Sequence, residues 1–391
     1  MLERPISRAG WTRVALGDVV RLSKARVADP EAAGIERVVG LEHIEPGELR
    51  IRRWGDVADG TTFTTRFKPG QVLFGKRRAY QRKVAVADFE GVCSGDIYVL
   101  EPANDRLMPE LLPFLCQTDA FFDHAVGTSA GSLSPRTNWT SLASFEFLLP
   151  PIQEQARLVE TLVASRDSVE AMIALRQSLD TLKLALVFAF EEGVSLADMA
   201  SFSGAVQRIE AGKSPSSTGE VANANEFGVL KVSAVGDWSY VETENKVILD
   251  SDFLPSAEVR VGDFLATRAN ADPDSVGRTC IVEATRSGLM LSDKTWRLVL
   301  KEPVAPYSMA VLAWTKSRAF RKHIRNQLNG TDAKNVSQKA FLAAPFPQIN
   351  AAFMQLDRQI RELEHHRKEA LKREFHAMLQ HSKILGEALT Q

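Results

Sequence analysis

At roughly 100–200 residues per domain, a chain of 391 residues is too long for one ordinary core, so two globular units are expected. With 45% hydrophobic and 25% charged residues, the composition excludes a disordered or fibrous protein. Lys and Arg number 48 against 49 Asp and Glu, a formal net charge of -1, so any nucleic-acid surface must arise from local segregation of charge.

The N-terminal Met1-Leu2-Glu3-Arg4-Pro5 lacks an apolar signal core, and no run approaches the roughly 18 apolar residues that cross a bilayer. The expectation is a cytoplasmic protein with no membrane partner. Cys93, Cys116 and Cys280 show neither Cys-x-x-Cys spacing nor a nearby zinc-type His pattern, so buried reduced thiols are expected.

In chain order, the dominant feature is a repeat of about half the chain. Phe67-Lys68-Pro69-Gly70-Gln71-Val72-Leu73-Phe74 reads as a turn feeding a strand. Val259-Arg260-Val261-Gly262-Asp263-Phe264-Leu265-Ala266 echoes it, its glycine 192 positions after Gly70. The alternating strand Ser94-Gly95-Asp96-Ile97-Tyr98-Val99-Leu100-Glu101-Pro102 returns as Ser292-Asp293-Lys294-Thr295-Trp296-Arg297-Leu298-Val299-Leu300-Lys301-Glu302-Pro303. A helical stretch and loop from Ala120-Phe121-Phe122 to Gly131 is matched by Ala319-Phe320-Arg321 to Gly330. Each half closes with a proline-bearing strand, Phe145-Glu146-Phe147-Leu148-Leu149-Pro150 or Ala344-Pro345-Phe346-Pro347. Four matches in one order point to duplication, and the drifting offsets to loops of different length.

A long helix is expected after each half. From Gln153 to Phe190, Leu158, Leu162, Val169, Met172, Leu179 and Leu186 fall on steps of three and four or their sums, with no Pro or Gly between. From Ala351 to Leu389 the same logic picks out Phe353, Leu356, Ile360, Leu363, Ala370, Phe375, Met378 and Leu385. Each helix would span about 55 Å at about 1.5 Å per residue, far beyond the average helix of about 11–12 residues, and the two are expected to pair. Arg176, Lys183 and Arg367 interrupt the seams, predicting an imperfect coiled coil whose long side chains snorkel outward.

The junction Leu149-Pro150-Pro151-Ile152-Gln153-Glu154-Gln155, set between divergent globular halves that each lead into a long helix, resembles the DNA specificity subunits of type I restriction-modification systems. Trp11-Thr12-Arg13-Val14-Ala15-Leu16-Gly17-Asp18 and Gly212-Lys213-Ser214-Pro215-Ser216 add weaker likeness, while the second copy departs at Pro347-Gln348-Ile349-Asn350. The resemblance implies an α+β fold, with two mixed α/β target-recognition domains (1–151 and 191–348) separated by two long antiparallel helices (152–190 and 349–391) that form a coiled coil. It also implies a non-catalytic subunit reading a bipartite target in double-stranded DNA. Two modification subunits and, through them, restriction subunits would dock on it. By the same resemblance, S-adenosylmethionine, ATP and Mg are used by those partners, and this chain holds neither cofactor nor metal.

Charge is segregated within each half. No acid lies between Gly60 and Ala87, where Lys76, Arg77, Arg78, Arg82 and Lys83 are interleaved with aromatics including Tyr80. Such side chains neutralise phosphates, and Arg can also grip guanine O6 and N7. Ser132, Arg136, Thr137 and Asn138 supply polar loop donors and acceptors in the same half. In the second half the candidates are Lys213, Arg268, Asn270, Lys294, Asn329, Thr331, Lys334 and Asn335. Arg321 and Arg325 join them from a basic stretch that also holds Lys316, Arg318, Lys322 and His323.

Catalytic readings fare poorly. Gly212-Lys213-Ser214 resembles the end of a phosphate-binding loop, but Gln207 stands where the earlier glycine is required. Asp272-Pro273-Asp274 with Glu283 lacks the lysine of a nuclease carboxylate cluster and reads as a turn. The tetrapeptide of amino-methylating DNA methyltransferases needs Asp, Asn or Ser before Pro-Pro and an aromatic after it, whereas Leu149 precedes and Ile152 follows. His365, His366, His376 and His381 sit among helical Lys and Glu, where solvated positions are expected. The competing classes are a self-contained DNA methyltransferase or nuclease, and a coiled-coil scaffold with no DNA role.

Overall fold

The structure, a computed structural model, describes residues 8–195 and 199–389; the N-terminal pentapeptide Met1 to Pro5 lies outside them. Two compact units emerge, Met1–Ile173 with Lys372–Gln391, and Ala174–Leu371. Each combines sheets, short helices and part of both long helices, so the fold is α+β.

In the first unit an antiparallel sheet runs in the order Val20–Leu22, Ile97–Pro102, Val72–Gly75, Val84–Val86. Val72, Leu73, Phe74 and Gly75 are all buried, as expected for an inner strand whose sequence is a continuous apolar run. A second sheet, Gly55–Asp56, Arg37–Val39, Gly91–Cys93, Thr65–Phe67, contains one parallel pair, Val38 opposite Val92. Thr12–Ala15 pairs with Glu146–Leu149, tying the start of the globular part to its end. Phe74, Phe121, Phe122 and Phe145 meet edge-on or tilted in the core, at centroid distances of 5.4–6.1 Å.

The second unit repeats this plan. Its main sheet is Val206–Ala211, Thr295–Leu300, Phe264–Thr267, Thr279–Ile281, and Gly228–Leu230 runs parallel to Leu289–Met290. Helices Asp119–Gly127 and Arg318–Asn326 are capped by Thr118 and Ser317, and helices Trp139–Ala143 and Gln338–Leu342 by Asn138 and Ser337. His124 and His323 each place Nε2 within hydrogen-bond distance of a carbonyl in the following helix, Ser141 O at 2.7 Å and Ala340 O at 2.8 Å. The repeated glycines sit in turns that need positive φ, +86° at Gly70 and +91° at Gly262.

The long helices run Ile152–Glu192 and Ala351–Leu389. Within the second unit Lys183 meets Glu364 at 2.7 Å and the Phe190 ring meets Phe353 at 6.0 Å, so the helices run antiparallel there. Within the first unit Leu158 and Leu162 enter the core, and Ile384 and Leu385 pack against it. The seam differs from expectation at Lys183, which does not snorkel. It is 0% exposed, ion-paired with Asp180 (2.9 Å) and hydrogen-bonded to Glu364, with its ammonium 4.4 Å from the Trp238 ring centroid. Arg367 is drawn into the same network by Asp180 and Glu364, both at 3.0 Å. A buried ammonium persists only where anions and a ring face replace its water. Phe375 and Met378, assigned to the seam by periodicity, are 60% and 52% exposed.

The junction signature acts through Gln155. Fully buried, it accepts from Met108 N (2.8 Å) and donates to Arg106 O (2.7 Å) and Pro150 O (2.9 Å), fastening the helix start to the globular part. In the second copy Asn350 caps Phe353 N at 2.9 Å, and Asp357, about one turn deeper in its helix than Gln155, accepts from Ala310 N at 3.0 Å. All three cysteines are buried and free. Burial pushes the thiols of Cys93 and Cys280 up to about 12, and that of Cys116 up as well. No helix among the described residues is long and apolar enough to cross a membrane.

Candidate nucleic-acid interface

Beyond strand Val72–Gly75 the chain turns through 76–83 and lies beside the loop 129–137. Lys76 N donates to Asp96 O (3.0 Å), Thr137 N to Lys76 O (3.1 Å) and Arg78 N to Pro135 O (2.7 Å). Arg77 faces Arg136 in an antiparallel bridge, and Arg136 is bridged in turn to Ala130. Arg78 and Arg82 adopt left-handed φ of 53° and 55° on either side of the tight turn Ala79–Gln81. Such values are uncommon for non-glycine residues and here shape a closed, defined loop.

Asp96 stands at the centre. It accepts from Arg136 Nε at 2.8 Å and Arg77 Nη1 at 3.1 Å. Partial burial pushes its carboxyl up, but hydrogen bonds and charge from Arg136 and Arg77 outweigh this and hold it below its ordinary value. Ser134 Oγ accepts from Arg77 at 3.0 Å and from Arg78 at 3.2 Å. An open depression of about 410 Å³ is lined by Leu41, Glu42, Arg77, Arg78, Gln81 and Lys83, with Ser94 and Asp96.

The other first-half candidates divide. Lys76 lies 4.5 Å over the Tyr98 ring, and Tyr80 and Ser132 are exposed. Arg82 is turned to Asp119 (2.6 Å), and Lys83 Nζ to Leu41 O (2.6 Å). Thr137 is buried against Thr128 at 3.2 Å, and Asn138 is a helix cap. The stretch free of acids in sequence is therefore partly neutralised in space by Glu90 on Arg66, Asp96 on Arg77 and Asp119 on Arg82.

The second unit builds the same frame. Arg268 N donates to Lys294 O (2.8 Å) and Val336 N to Arg268 O (3.1 Å). Ala269–Asn270 pairs antiparallel with Lys334–Asn335, and Asn335 is bridged to Asn329. Arg268, Lys294, Asn329 and Thr331 are exposed around it, as is Lys213. Asn270 Oδ1 accepts from Asp272 N at 3.0 Å, and Lys334 Nζ donates to Gly330 O at 2.6 Å. Arg321 is held against the neighbouring turn through Val276 O and Asp274 O, both at 2.9 Å, and Arg325 pairs with Asp274 at 2.8 Å. Lys316 is buried on Asp237 (3.0 Å) and Thr279 O (2.8 Å), and burial presses its pKa down.

The motifs set aside as catalytic have structural work here. A Cβ at Gly212 would fall 1.7 Å from the Leu291 carbonyl oxygen, so the close approach of the two backbone segments requires glycine. Asp272 caps the turn Pro273–Ser275 and accepts from Ser275 Oγ at 2.6 Å. His381 is partly buried beside Phe114 rather than solvated, and burial, then the Arg166 charge, press its pKa down. Sequence reasoning does not single out Asp96 or Ser134. Asp96 is legible only as the counterpart of Lys294 in the repeated strand, and nothing local marks Ser134.

No family model matches the chain. It is 30% identical over 143 residues to the type I restriction enzyme EcoDI specificity subunit of Escherichia coli, covering 34% of this chain and 31% of that protein. It is 43% identical over 97 residues to the type I restriction enzyme EcoEI specificity subunit of the same organism, covering 24% and 16%. The matched stretches thus span about a third or less of those relatives. A solved chain from a study of complex assembly and conformational transition in the type I R-M system is matched over 97% of both chains, with TM-score 0.56 and 18% identity. The type I restriction-modification S subunit from M. genitalium is matched over 100% of this chain and 98% of that one, with TM-score 0.56 and 12% identity. The class is thereby defined: the fold is that of type I restriction-modification S subunits. The local sequence likeness is to specificity subunits of type I restriction enzymes.

Proposed function

We propose that the chain is the DNA-binding specificity subunit of a type I restriction-modification complex. Residues 1–151 and 191–348 each read one half of a split duplex target. The long helices, 152–190 and 349–391, hold the readers and dock two modification subunits, through which restriction subunits join. The chain itself performs no chemistry; S-adenosylmethionine, ATP and Mg act on its partners, in the cytoplasm. One observation carries this reading: a single backbone frame is built twice and presents different polar side chains in each half, as two readers of two different half-sites require. Exposed Phe375, Met378 and Leu379 on the second long helix offer apolar surface for a partner to cover.

The test is the chain assembled with its modification subunits in a host whose adenine methylation is mapped. Two defined half-sites with a fixed, non-specific spacer are expected. Methylation at a single undivided site, or S-adenosylmethionine bound by the isolated chain, would contradict the proposal.

A further inference from the structure

The two frames can be aligned atom for atom through their hydrogen bonds, without reference to sequence similarity. The amide of Lys76 reaches Asp96 O as that of Arg268 reaches Lys294 O, and Thr137 N reaches Lys76 O as Val336 N reaches Arg268 O. Arg77 opposes Arg136 as Ala269 opposes Asn335, and Arg136 is bridged to Ala130 as Asn335 is to Asn329. Three equivalences follow: Arg77 with Ala269, Asp96 with Lys294, and Arg136 with Asn335. The backbone is kept while the chemistry at its centre is exchanged.

We propose that this triplet is the principal base-selecting position of each half, set for guanine in the first and for adenine in the second. The proposal rests on the two-reader function above and deepens it. In the first half one carboxylate organises two guanidinium groups. Arg136 grips Asp96 through Nε, keeping its terminal nitrogens available, and its side chain is 50% exposed. Planar paired donors match the O6 and N7 acceptors of guanine. Asp96 is a positioning residue, since both of its oxygens are taken by Arg77 and Arg136. In the second half there is no guanidinium pair at these positions. The Asn335 amide donates one proton to Asn329 O at 3.2 Å, and its other proton and Oδ1 match N7 and N6 of adenine. Lys294, exposed where Asp96 stands in the first half, brings a cation to the same place.

Two variants of the full chain, each assembled with modification subunits and mapped by methylation, test this. Exchanging the first triplet for the second (Arg77→Ala, Asp96→Lys, Arg136→Asn) should replace one guanine of the first half-site by adenine, a change in preference on the order of tenfold, with the second half-site untouched. Asp96→Ala keeps both arginines and is the gentler change. It should lose selectivity for that guanine without any fall in the salt slope of DNA binding, whereas a merely structural role, by letting the loop collapse, would withdraw both arginines and lower the slope. An active complex of either variant that keeps the original first half-site overturns the triplet. A parent complex with no bipartite target overturns the two-reader function instead, so the two failures are distinguishable.

Discussion

Arg77 and Arg78 are adjacent on one loop but held differently. Arg77 is shared between Asp96 and Ser134, while Arg78 bonds Ser134 from a left-handed backbone. Replacing both with Ala should weaken duplex binding and reduce its log–log salt slope by about one for each phosphate left without its cation, measured by titration at several salt concentrations. Unchanged affinity and unchanged slope in a correctly folded variant would place the pair away from DNA. The same loop is sensitive to acid: the folded-state pKa of Asp96 is depressed, so its stabilising effect is complete above the ordinary carboxylate range and disappears as pH falls through the folded value. At Lys183, substitution by Met leaves Asp180 and Glu364 dependent on Arg367 for their neutralising charge and should cost about 3 kcal/mol, read from urea unfolding. The companion change Glu364→Leu should restore part of it. Neither Asp96 nor Lys183 could be weighed from sequence, because counting charges along the chain does not show which acids fold back onto which bases. Thr137 and Asn138 illustrate the converse, since a polar loop residue looks the same whether it faces DNA or caps a helix.

Among the elements, the long helices were legible because an apolar period near 3.6 residues runs through both, without Gly or Pro from 153 to 190 and broken only by Gly386 near the end of the second. Which of their apolar residues are buried was not, since the period does not say where a globular part covers the helix. Leu158 and Phe353 are covered, whereas Phe375 is not. Changing Phe375, Met378 and Leu379 to Ser should therefore leave the unfolding midpoint nearly unchanged yet weaken capture by modification subunits, measured by titration calorimetry. Undiminished capture would assign docking elsewhere. The missing Glu-Gln pair of the second junction was visible in sequence, but its replacement by Asn350 and Asp357 was not, since Asp357 lies about a turn further along. If the helices set the spacing of the readers, four residues inserted after both Ile173 and Leu371 add about 6 Å and keep the apolar face nearly in phase. The methylated target should then keep both half-sites and gain about two base pairs of spacer. An unchanged spacer in an active complex would contradict the ruler.

At the scale of the whole molecule, duplication was the strongest signal in the sequence, and both units display it in strand order, helix caps and paired histidines. On the proposed function, each unit carries a separate reader with its own side chains on a common frame. The most direct measurement replaces residues 191–348 by the corresponding domain of a relative, assembles the chimaera with its modification subunits, and maps adenine methylation genome-wide. The account predicts a target in which the half-site read by 1–151 is retained, the other half-site is new, and the spacer is unchanged. A map in which both half-sites change together, or neither does, would contradict it.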